Sequence, residues 1–89
     1  MGKKEKLEDR IWACANDISM NEFDTFLRNN GFVLRKSNNG GSHRVYQIVI
    51  AEKRRSVTIV CPHGNKKEIA GYQIKEVLKL IKEKQEVEQ

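Results

Sequence analysis

Residues 42–61 read SHRVYQIVIAEKRRSVTIVC, and the fold turns on how that run divides. From Ser42 to Ile50 the residues are β-branched and alternate. Tyr46, Ile48 and Ile50 fall on one face, and His43, Val45, Gln47 and Val49 on the other. Glu52-Lys53-Arg54-Arg55 reads as a hairpin connection, and residues 56–61 return as a strand with Val57, Ile59 and Cys61 alternating. Pro62, the one proline, ends it because it has no N–H for a ladder. Upstream, residues 32–36 predict another strand, closed by Ser37-Asn38-Asn39-Gly40-Gly41, the strongest turn signal in the chain.

Helices precede and follow these strands in the sequence. Ser19-Met20-Asn21-Glu22 is a capping box. Phe23, Phe26 and Leu27 form an apolar stripe behind it, and Asn29-Asn30-Gly31 supplies a left-handed stop. Ile74, Val77, Leu78 and Ile81 sit at i, i+3, i+4 and i+7, which predicts a second helix from near Gly71-Tyr72. Leu7, Ile11, Cys14, Ala15 and Ile18 suggest a short leading helix, interrupted at Asn16-Asp17. Residues 1–6 and 82–89 are polar and are expected to fray. The order is α, α, β, β, β, α. For one small 89-residue domain with its core over about residues 18–81, the natural solution is an α+β fold. Three antiparallel strands carry helices on one face, and the face holding His43 is left partly open.

Composition narrows the function. Two-domain enzymes do not fit in 89 residues, and no run is long and apolar enough to span a membrane or serve as a signal peptide, so a cytoplasmic protein is expected. Cys14 and Cys61 form no C-x-x-C pair and are expected as two thiols. No Cys/His grouping has zinc-ligand spacing, so no metal or cofactor is expected. The net charge of +5 is unevenly spread: residues 28–67 carry nine Lys or Arg and one acid, Glu52. Such a centre suits a polyanion, through phosphate neutralisation and counterion release, better than it suits solubility alone, which would not segregate the signs.

Few residues could carry chemistry. There is no G-x-S-x-G, Walker loop or H-E-x-x-H. What remains is Gly40-Gly41-Ser42-His43-Arg44, a glycine turn delivering a histidine and an arginine at the start of a strand. Imidazole is the side chain suited to proton transfer near neutrality, although a lone histidine beside a turn is more often a surface residue. His63 reads as a loop-ordering residue, Lys53-Arg54-Arg55 as a charged hairpin tip, Trp12 as a core anchor and Tyr46 as core. Lys66 and Lys67 are read equally as phosphate contacts or as plain surface.

The ordered set of motifs resembles a known family. Phe32 follows Asn29-Asn30-Gly31. Then come Gly41-Ser42-His43-Arg44 with Tyr46, Val60-Cys61-Pro62-His63, Lys66-Lys67-Glu68-Ile69, Gly71, and the Ile74/Val77/Leu78/Ile81 helix. Together they look like the HicA toxins (YcfA-like) of bacterial and archaeal toxin–antitoxin systems. That resemblance implies a double-stranded-RNA-binding-domain-like α-β-β-β-α fold and a metal-independent endoribonuclease that cleaves messenger RNA. It implies His43 as the catalytic histidine and a HicB-like antitoxin as partner. In its basic setting His43 is then expected to act as general base, with Lys36, Ser42, Arg44, Lys66 and Lys67 as RNA contacts. The alternative is a non-catalytic RNA-binding module of the same fold. A third possibility is an interaction module whose basic face serves an acidic antitoxin.

Overall fold

The computed structural model describes residues 3–37, 43–62 and 67–88. Its elements are α1 (Lys3–Trp12), α2 (Met20–Asn29), β1 (Val33–Ser37), β2 (His43–Ile50), β3 (Lys53–Val60) and α3 (Gly71–Val87). The strands form one antiparallel sheet in the order β1-β2-β3. The expected α+β order is thus observed. The expected turn at Asn38-Asn39-Gly40-Gly41, together with Ser42, His63 and Lys66, lies outside the described residues.

Local chemistry sets the limits of α2. Ser19 Oγ accepts from the Glu22 N–H at 3.2 Å, and Glu22 Oε1 accepts from the Ser19 N–H at 3.0 Å, which completes the capping box. The Arg10 guanidinium sits 2.8 Å from the Glu22 carboxylate. The Ser19 amide, then Arg10, hold that carboxyl below its ordinary range against the cost of burial. At the other end Gly31 has φ +91°. The Phe32 N–H reaches the Leu27 carbonyl and the Gly31 N–H the Arg28 carbonyl, so two orphan carbonyls are satisfied by a Schellman turn. The same motif closes α1, with Cys14 at φ 55° in the glycine position.

The core lies between the sheet and the helices. Tyr46, Ile48 and Ile50 of β2 and Val57 and Ile59 of β3 face Phe23, Phe26 and Leu27 of α2 and Ile74, Val77 and Ile81 of α3. All are buried, and Ile11 of α1 joins them. Burial along β2 alternates as its pattern requires, with Val49 half exposed and its neighbours Ile48 and Ile50 covered.

Three expectations are corrected. α1 begins at Lys3, inside the stretch expected to fray, and ends at Trp12, because the left-handed Cys14 stops it short of the expected interruption at Asn16-Asp17. α3 runs on to Val87 rather than fraying from residue 82. Its tail is made of good helix formers and is pinned twice: Glu83 pairs with Arg55 of β3, and Lys82 Nζ lies 5.9 Å from the Trp12 ring centroid. The hairpin turn falls at Ala51 and Glu52, beginning one residue before the expected connection and ending three residues sooner, so β3 takes in Lys53, Arg54 and Arg55.

Both turn residues have positive φ, 51° and 67°, as a two-residue type I′ hairpin demands, and neither is a residue that favours it. The double change Ala51→Asn with Glu52→Gly is therefore expected to stabilise the fold by about 1–2 kcal/mol. A higher urea midpoint at unchanged m-value would show it. An unchanged midpoint would contradict the turn geometry.

Candidate active site

His43 is the first residue of β2, and alternation puts it on the sheet face that no helix covers. It is exposed. The same face carries Val33 and Arg35 of β1, Gln47 and Val49 of β2, and Arg54, Ser56 and Thr58 of β3. Val33 and Val49 are each 52% exposed. With Gly31, Arg35, Gln47 and Arg54 they line a shallow depression of about 210 Å³. No acidic residue occupies an open-face position among the described strand residues, so the Arg35 and Arg54 charges stand uncompensated on that surface. An apolar strip bordered by guanidinium groups suits a polyanion that also presents flat bases.

A register shift between Leu34 and Lys36 shapes the β1 side. The extra residue there is Arg35, and beyond it Lys36 pairs with Val45 and Ser37 with Arg44. Lys36 thus stands across from a residue two places along β2 from His43. Lys67 is exposed, and its own N–H donates to the Glu68 carboxylate at 3.3 Å. Ser42, His63 and Lys66 lie outside the described residues.

Arg44 does not join His43 on the open face. Successive residues of a strand point to opposite sides, and Arg44 turns toward the helices with its side chain 30% exposed. Its Nη1 stands 3.9 Å from Asp24 Oδ1. The Tyr46 hydroxyl and the Asp24 carboxylate raise its pKa further, burial opposing. Tyr46 is fully buried and donates its hydroxyl to Asp24 Oδ1 at 2.6 Å; burial first, then that bond, pushes the phenol up. Arg28 closes the group from the solvent side, its Nε 3.0 Å from Asp24 Oδ2. This cluster ties α2 to the strand that carries His43.

Two residues of this region were not among the sequence candidates, Asp24 and Gln73. Asp24 shows only as an i,i+4 partner of Arg28 in the sequence, and the partner of Gln73 lies 13 residues upstream on β3. Among the described residues no group of three or more His, Cys, Asp or Glu is placed to hold a metal ion, and Cys14 and Cys61 are unbridged. No described helix is long and apolar enough to cross a membrane.

A family model described as HicA toxin of bacterial toxin-antitoxin matches residues 20–82. The match spans α2, the whole sheet and most of α3, and it leaves α1 outside. No curated protein and no solved structure matches the chain.

Proposed function

Since the chain belongs to the HicA toxin family and is thereby the toxin of a toxin–antitoxin pair, we propose that it is an endoribonuclease cleaving messenger RNA, with His43 as general base. The observation that carries this reading is the placement of His43: exposed, at the first position of β2, on the sheet face that no helix covers. RNA backbone crossing that face would bring a ribose 2′-hydroxyl to the imidazole. The 2′-oxygen attacks the adjacent phosphorus in line while His43 takes its proton. The bond to the 5′-oxygen breaks, and that oxygen takes a proton from water. The products are a 2′,3′-cyclic phosphate and a free 5′-hydroxyl, so atoms balance without a cofactor, and the step as written calls for no metal.

The cations serve the phosphorane, whose added negative charge is where preorganised positive groups lower a barrier most. Arg35 lies on the His43 face, Arg54 stands six places along β3 from the residue paired with His43 and is suited to the RNA backbone farther along, and Lys36, Ser42, Lys66 and Lys67 remain proposed RNA contacts. Arg44 is the weakest of the proposed contacts, because its guanidinium already faces Asp24. The partner is read as a HicB-like antitoxin, which would silence the toxin by covering the open face, and the site of action as the cytoplasm.

The purified protein, incubated with end-labelled messenger RNA in excess chelator, is expected to yield discrete fragments. RNA that is retained by the protein yet stays intact would replace this reading with the non-catalytic RNA-binding module.

A further inference from the structure

β2 and β3 are joined directly at one end only, by the turn at Ala51 and Glu52, and the far end of their ladder is the His43–Val60 pair. A two-residue hairpin makes Ile50 and Lys53 a hydrogen-bonded pair, and hydrogen-bonded and open pairs alternate along an antiparallel ladder. Counted from the turn, His43 and Val60 form an open pair. In such a pair the side chains lie close together, and the N–H and C=O of Val60 point away from β2. Strand ends of this kind fray, since no ladder bond holds their last residue.

Both outward groups of Val60 end on one side chain. Gln73 Oε1 accepts from the Val60 N–H at 2.6 Å, and Gln73 Nε2 donates to the Val60 carbonyl at 3.1 Å. Gln73 stands in the first turn of α3, is 2% exposed and, apart from Tyr46 with its hydroxyl, is the one buried polar side chain among the described residues. Its carboxamide does for the last residue of β3 what a fourth strand would do. It also fixes the start of α3 to the residue directly across the ladder from the imidazole.

We infer that Gln73 is a positioning residue for His43: its paired hydrogen bonds to Val60 fasten the open end of the β2–β3 ladder and so hold the imidazole where the RNA backbone must meet it. The inference rests on the ribonuclease reading for its kinetic consequence but not for its structural one. Removing the bonds frees the strand end, and the imidazole then samples orientations from which it cannot take the 2′-proton. Geometry of this kind is worth large factors, since a misplacement of about 1 Å can cost about 10²-fold.

Gln73→Met keeps the length and loses both bonds, Gln73→Glu keeps the acceptor for the Val60 N–H alone, and Val77→Ala is a core truncation in the same helix. For Gln73→Met, measured where all three variants are folded, kcat is expected to fall about tenfold or more with KM little changed. Gln73→Glu should lie between it and the wild type, and Val77→Ala should keep the wild-type kcat. The His43 ring resonances should broaden or shift in both Gln73 variants and stay in place in Val77→Ala. Ring resonances that do not move in the Gln73 variants would overturn the fastening. Wild-type kcat in Gln73→Met would overturn its role in positioning. A wild-type protein that cuts nothing counts against the ribonuclease reading, while the resonances still decide the fastening.

Discussion

Replacing His43 by alanine is expected to lower RNA cleavage by about 10²–10⁴-fold, the share that a positioned general base supplies, and to leave RNA affinity largely intact. The two effects separate because they come from different groups. Affinity for a nucleic acid comes mainly from cations on phosphates, and the cations of the open face, Arg35 and Arg54, are untouched by the change. Nor is the fold at stake. His43 is exposed at the end of a strand, where a substitution typically moves stability by no more than about 0.5 kcal/mol. Initial cleavage rates and filter binding on the same preparation check both halves. An alanine variant that cuts at the wild-type rate removes His43 from the mechanism.

The second large effect is on stability. Phe23→Ala is expected to destabilise the fold by about 3–5 kcal/mol. Phe23 is fully buried on α2, and its ring lies 6.4 Å from that of Phe26, with the two planes 10° apart. The ring lies in the buried cluster of core side chains under the sheet, where close packing leaves little collapse to fill the hole. A domain of this size stands near the low end of the usual 5–15 kcal/mol, so the loss is a large part of the total. Thermal or urea unfolding measures it, and a change under about 1 kcal/mol would contradict the packing described for α2.

What could be read from the sequence follows the range of the interactions involved. The capping box at Ser19, the glycine stop at Gly31 and the alternation of β2 are all decided by residues within a few positions of one another, and each appears where the sequence puts it. The exposed placement of His43 follows from the same alternation. The hairpin turn was not legible, because Ala51 and Glu52 adopt positive φ without the Asn or Gly that signals it. The length of α3 was not legible either, since Arg55 and Trp12 hold its tail from other elements. Arg44 was legible in part. Alternation separates it from His43, and only the tertiary structure supplies Asp24 as its partner. Gln73 gave no local signal at all, since its hydrogen bonds go to a strand backbone.

The central claim is that His43 drives a neighbouring 2′-hydroxyl onto phosphorus, and the ends of the RNA fragments test it most directly. End-group analysis of the wild-type products is predicted to find 2′,3′-cyclic phosphate on one side of each cut and 5′-hydroxyl on the other. Fragments carrying 5′-phosphate and 3′-hydroxyl would mean that water, rather than the ribose, attacked, and would contradict the account.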